Sequence, residues 1–115
     1  MSKSHLEYLR HIFEETMFIM TKVNEASEDD FYNDATLKRA IVRSLEIIGE
    51  ASKNIPKSFK ERNPDVDWKN TARMRDKLIH HYFGIDYLIV WDVIKNEIPL
   101  LHGKIMELIQ NEEKM

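Results

Sequence analysis

The chain has no cysteine among its 115 residues, and only three glycines and three prolines. Without thiols it has no disulfide, no thiolate zinc site and no cysteine nucleophile, a composition that suits a reducing cytoplasm. So little glycine and proline argues against a turn-rich sheet protein, which uses both at its corners. No run is long and uncharged enough to cross a membrane, and Met1-Ser2-Lys3-Ser4-His5 leads into a charged amphipathic segment with no signal-peptide apolar core. A soluble protein with no membrane partner is expected. An excess of positive charge is missing too. The formal net charge is -3, so any nucleic-acid contact must come from a local basic patch rather than from the whole molecule.

What is present points to helices. Hydrophobic residues make up 43% of the chain and charged residues 32%, enough for one modest core in a single domain spanning residues 1–115. Ser4 and Glu7 form a capping-box pattern ahead of a first helix striped by Leu6, Leu9, Phe13, Met17, Met20 and Val23. The polar interval 24–30 breaks that stripe. Asn33 or Asp34 then caps a second helix that buries Leu37, Ile41, Leu45 and Ile48 and fades near Asn54, ahead of Pro56. Residues 56–64 read as a connector, a short helical turn or loop rather than a packed element, with Phe59 its one strongly apolar side chain.

Asp67 caps a third helix with Trp68, Ala72, Ile79 and Tyr82 on one side and Gly84 placed to end it. Asp86 caps a fourth, striped by Leu88, Trp91, Ile94, Ile98, Leu101, Ile105 and Leu108, and Pro99 is expected to kink or split it. Four amphipathic helices that must cover one another predict an all-α, antiparallel, up-and-down four-helix bundle.

The third helix carries Arg75-Asp76-Lys77-Leu78-Ile79-His80-His81-Tyr82, an Arg-x4-His-x-Tyr pattern near its end. These residues offer a permanent cation with forked donors, a group that titrates near neutrality, and a hydroxyl. The first two suffice to cleave RNA without a metal. A base takes the proton of a ribose 2′-hydroxyl, that oxygen attacks the adjacent phosphorus, and a cation steadies the charge that develops. His80 fits the base or acid and Arg75 the clamp, with a 2′,3′-cyclic phosphate and a 5′-hydroxyl as products.

The pattern is followed by Phe83-Gly84-Ile85-Asp86 and a Trp91-containing helix, and Ile48-Gly49-Glu50-Ala51 lies on the second helix. In these features, over nearly its whole length, the chain resembles the HepT-like ribonuclease toxins, which carry a HEPN domain. That resemblance implies a metal-independent endoribonuclease with no cofactor and no DNA partner, acting as a homodimer whose protomers share a composite cleft. It implies an antitoxin of the minimal-nucleotidyltransferase type, in a type VII-like toxin-antitoxin system, that silences the nuclease by adenylylating the motif tyrosine, here Tyr82. Asp76 occupies a polar position common in the family and is a candidate auxiliary residue that orients Arg75.

Helical geometry restricts how such a site is built. At about 100° per residue, Tyr82 falls within about 20° of Arg75 around the axis, while His80 is turned away by roughly 140°. One straight helix cannot aim all three at one phosphate. Either the helix unwinds before His80, or two protomers build a shared cleft, the solution that the resemblance favours. Lys69, Arg73, Lys77 and His80 recur at steps of four, four and three and lay a basic stripe on which an RNA backbone could run.

Each reading has a plainer counterpart. The stripe could be a solvated face, His80 a structural side chain, Tyr82 a core residue with its hydroxyl at the rim, and Asp76 a solvated carboxylate. Glu50 could approach the site or lie on the surface. His5, His11 and His102 show no metal-ligand spacing, and Trp68 and Trp91 read as core or interface rather than base platforms. The alternative function is a non-catalytic helical module that binds a nucleotide or a nucleotidyltransferase.

Overall fold

The computed structural model describes residues 5–80 and 84–114, with Ile79 and His80 described in their backbone only. The capping box expected at Ser4 lies outside the described residues. Helix α1, His5–Glu25, turns Leu9, Ile12, Thr16 and Ile19 inward. The predicted stripe was therefore displaced around the axis, and Met17, which it included, is 43% exposed. Helix α2, Glu28–Asn33, occupies much of the interval read as a break. Ser27 starts it with a complete capping box: its hydroxyl accepts from the Asp30 amide at 3.1 Å, and its own amide donates to the Asp30 carboxylate at 3.2 Å. One buried side chain, Phe31, anchors this otherwise polar turn against Trp91 and Tyr87, so no periodicity betrayed it.

Helix α3, Ala35–Asn54, is capped by Asp34, whose carboxylate accepts from the Leu37 amide, and it buries Ile41, Leu45 and Ile48. Helix α4, Lys57–Arg62, is the short helical turn allowed for in the connector. Phe59 is buried there, its ring stacked on His5 at 4.4 Å and edge-on to Trp68 at 6.3 Å, so this turn does contribute to the core.

The third predicted helix is not continuous. Asp67 caps α5, Trp68–Ala72, through the Asn70 amide; Arg73 interrupts with ψ near 10°, and α6 runs Met74–Leu78. The chain leaves the helix there, well before Gly84. Strand β1, Ile79–His80, pairs antiparallel with β2, Gly84–Ile85, opposing Ile79 to Ile85 and His80 to Gly84. Gly84 holds φ at 75°, a left-handed angle that glycine adopts without penalty. Its role is thus in the ladder rather than at a helix end.

Asp86 caps α7, Tyr87–Asp92, accepting from the Leu88 and Ile89 amides. A π-helical turn, Val93–Glu97, leads into α8, Ile98–Glu113, with Pro99 in its first turn. The widened turn sits where the proline ring would crowd the carbonyl four residues back, that of Lys95. Leu88, placed in the predicted stripe, is 69% exposed, whereas Ile94, Ile98, Leu101 and Ile105 are buried as the period demands.

Helix α1 is the centre of the assembly and packs on both α3 and α8. His5 meets Glu112 at 2.8 Å and Thr16 meets His102 at 2.8 Å, so α1 and α8 run antiparallel. The Thr16 hydroxyl donates to the Phe13 carbonyl and therefore accepts from His102 Nδ1–H. Burial lowers the His102 pKa, which keeps the ring uncharged where it stacks on Phe13 at 4.8 Å. Among the described residues no helix is long and apolar enough to cross a membrane.

On the other side α3 supports α5 and α6, and Gly49 sets that approach. A Cβ at Gly49 would stand 3.2 Å from the Ala72 carbonyl oxygen and 3.6 Å from that of Thr71. These are backbone atoms and cannot rotate away. Gly49→Val is expected to lower unfolding stability by about 1–3 kcal/mol, the usual cost of overpacking, measured by urea denaturation followed by circular dichroism. An unchanged midpoint would show that α3 and α5 are not in close contact.

Candidate active site

Arg75 lies in α6, two residues after the Arg73 interruption, and its side chain is 60% exposed. It reaches across to α3, where Nε stands 3.9 Å from Glu46 Oε2. That distance is too long for a hydrogen bond, so the guanidinium is steered but not locked. Glu46 Oε2 also stands 4.0 Å from Arg43 Nη1, which places one carboxylate between two guanidinium groups.

Arg75 forms part of the wall of an open groove of about 430 Å³ between α1 and α3. Tyr8 and His11 face the groove from α1; Arg43, Glu46, Glu50 and Asn54 face it from α3. A larger depression of about 860 Å³ lies at the far ends of the same two helices, around Phe18 and Ala35, and holds no motif residue among the described residues. The presence of Arg75 singles out the smaller groove.

Of the two geometries open to the motif, the described backbone follows the first: the helix unwinds before His80. The helix end frees carbonyls that need donors, and the Leu78 carbonyl accepts from the Asp86 amide at 2.8 Å. His80 sits in β1, off the axis that carries Arg75. Its side chain lies outside the described residues, as does all of Tyr82. The expected coincidence of Arg75 and Tyr82 on one helical face assumed a helix that ends too late.

Asp76 is exposed on α6. Lys69 on α5, Arg73 at the interruption and Lys77 on α6 are exposed as well. Backbone bonds from Arg73 to Lys69 and from Lys77 to Arg73 carry the helical repeat across the break, so these three remain in sequence along one side. Lys77 is already engaged: Nζ donates to both oxygens of Glu97 at 3.1 and 3.2 Å, and Glu97 also accepts from the Asn70 side chain. Among the described residues no group of three or more His, Asp or Glu side chains is placed to hold a metal ion. Trp68 is core, its indole N–H donating to the Asn63 carbonyl, and Trp91 packs on Phe31.

Comparison with known proteins gives the family. A family model described as ribonuclease HepT-like matches residues 6–108. This chain belongs to the HepT-like ribonuclease family. A protein of Caldanaerobacter subterraneus subsp. tengcongensis, provisionally named an RNase, is 50% identical over 111 residues, which cover 96% of this chain and 99% of its own. A protein of Thermococcus cleftensis named a probable ribonuclease HepT is 47% identical over 108 residues, 94% of this chain and 98% of its own. A further provisionally named RNase, from Methanocaldococcus jannaschii, is 45% identical over 106 residues, 92% and 88% of the two chains. No solved structure gives a significant match. The family and the names of these relatives support an RNase function.

Sequence reasoning left Glu50 undecided and passed over Tyr8, His11, Arg43, Glu46 and Asn54. The structure gathers them around Arg75 although they come from helices far apart in the chain. A helical wheel could have put Arg43, Glu46, Glu50 and Asn54 on one face of α3 at steps of three, four and four. Nothing in sequence says that α6 lies beside that face.

Proposed function

We propose that this HepT-like chain is a metal-independent endoribonuclease toxin that cleaves cellular RNA by internal attack. The observation that carries the reading is the helix end at Leu78, which takes His80 off the axis of α6 while Arg75 stays on it beside an open groove. In the proposed reaction His80 accepts the proton of a ribose 2′-hydroxyl. The 2′-oxygen bonds to phosphorus as the bond to the 5′-oxygen breaks, and the leaving oxygen takes a proton to become a 5′-hydroxyl. Arg75 stabilises the charge on the non-bridging oxygens, which is greatest at the transition state and so lowers the barrier rather than only aiding binding. Asp76 orients Arg75, and Lys69, Arg73 and Lys77 hold the flanking backbone, with Lys77 exchanging Glu97 for phosphate. A homodimer that joins two copies of the motif completes the cleft.

Regulation follows from the third motif residue. A minimal-nucleotidyltransferase antitoxin transfers adenylate from ATP to the Tyr82 hydroxyl and releases pyrophosphate. The added phosphate and nucleoside put bulk and negative charge where RNA phosphate must bind.

In the presence of chelator, Arg75→Ala and His80→Ala are each expected to slow cleavage of RNA by about 100-fold or more, the usual loss for an oxyanion donor or a general base. Gel analysis of end-labelled RNA reads the rate, and cleavage retained in both variants would rule the mechanism out. After co-expression with a minimal nucleotidyltransferase, intact mass is expected to show adenylate increments that vanish in Tyr82→Phe. Increments that persist in that variant would remove Tyr82 as the acceptor.

A further inference from the structure

We propose that the groove between α1 and α3 is a nucleotide subsite for single-stranded RNA, in which Arg43 acts beside Arg75 on phosphate while Tyr8 and His11 receive the adjoining base. This inference rests on the ribonuclease reading and extends it to residues outside the motif. The groove, at about 430 Å³, falls in the size range of small-molecule sites, which typically run from about 300 to 1,000 Å³. Its contents sort by chemistry. At one point stand two guanidinium groups. Arg43 Nη1 and Arg75 Nε contact the same Glu46 oxygen at 4.0 and 3.9 Å, so they lie under about 8 Å apart, close enough to hold one phosphate and its neighbour. The Arg43 side chain is 72% exposed, and both contacts with Glu46 are long, so RNA phosphate displaces the carboxylate at small cost.

Across from the arginines, α1 offers ring surface. Tyr8 and His11 stand edge to face, with centroids 6.3 Å apart and planes at 88°, so a base lies flat on one ring and meets the edge of the other. Stacking of this kind holds bases of single strands without duplex geometry, which suits an enzyme that needs the 2′-hydroxyl and its phosphate unpaired. Further along the α3 wall, past Glu46, acceptors predominate. Asn54 Nδ2 donates to the Glu50 carbonyl at 2.9 Å, which orients the amide so that Oδ1 is its acceptor, and the Glu50 carboxylate is exposed beside it. A wall of acceptors favours bases with an exocyclic amino group, adenine among them, over uracil, whose one edge donor, N3–H, stands between two carbonyls of like polarity.

The test uses the full chain with fluorescein-labelled 2′-O-methyl oligonucleotides of about twelve residues, which cannot undergo internal attack and match the site sizes of single-strand binders. Fluorescence anisotropy is expected to show oligo(A) bound more tightly than oligo(U). Tyr8→Ala is expected to weaken oligo(A) binding about 5- to 100-fold, as loss of one stacked base does, while Tyr8→Phe keeps it. Arg43→Ala is expected to weaken both oligonucleotides by a similar factor, and Glu50→Ala to narrow the preference for A over U. Lys57→Ala, on the fully solvated side of α4, is expected to bind as the parent does.

Because the Arg43 side chain is largely solvated, Arg43→Ala decides the matter even if Tyr8→Ala fails to fold. Tight binding by the parent that Arg43→Ala and Tyr8→Ala leave unchanged overturns the subsite and leaves the ribonuclease reading standing. No binding by the parent overturns both. A change from dimer to monomer in sedimentation with unaltered RNA affinity assigns the groove to a protomer contact and likewise overturns the subsite.

Discussion

The hydrogen bond from the Asp86 amide to the Leu78 carbonyl, 2.8 Å long, is where the fold and the candidate site meet. A helix end leaves carbonyls without intrahelical donors, and here one of them is satisfied from across the chain. That bond closes the end of α6, starts the pairing of Ile79 with Ile85, and delivers Asp86 to cap α7 with its carboxylate. A two-residue ladder has little stability of its own. It is held at its flanks by Leu78 and Val90, both buried, so the core fixes the direction in which the motif leaves the helix. Had α6 continued, its register would have turned His80 by roughly 140° from Arg75 around the axis.

The same economy places Arg75. Gly49 lets α3 come against the carbonyl end of α5, and the short α6 that follows lies beside α3 at Glu46. A side chain on Gly49 would push α5 and α6 outward and lift Arg75 from the groove. The resemblance of Ile48-Gly49-Glu50-Ala51 to the family therefore has a packing reason in Gly49 and a groove position in Glu50. Glu46 is the counterweight: it keeps two arginines near one another while free of RNA, at distances that cost little to break.

The sequence made the helical class and the starts of α3, α5 and α7 legible, because caps and apolar periods are local signals. Asp34, Asp67 and Asp86 each cap the helix they were expected to cap. Ile41, Leu45 and Ile48 are buried as their spacing requires. Helix α2 and the packing of α4 were missed because Phe31 and Phe59 are single anchors with no period to reveal them. The end of α6 was placed too late because Gly84 looks like a helix stop, whereas a non-local bond from Asp86 ends the helix at Leu78. The motif pointed to the family, which the family model bears out, and the proposed chemistry rests on its Arg75 and His80. The groove around Arg75 was hidden because it forms only when α1, α3 and α6 assemble.

The central claim is that Arg75 and His80 serve one RNA phosphate. Nuclear magnetic resonance of the full chain, titrated with a 2′-O-methyl oligonucleotide, tests it without catalysis or mutation. The account predicts that the Arg75 Nε–H and His80 ring signals both move and that their shifts fit one dissociation constant. A titration in which only one of the two responds, or in which they follow different constants, would contradict it.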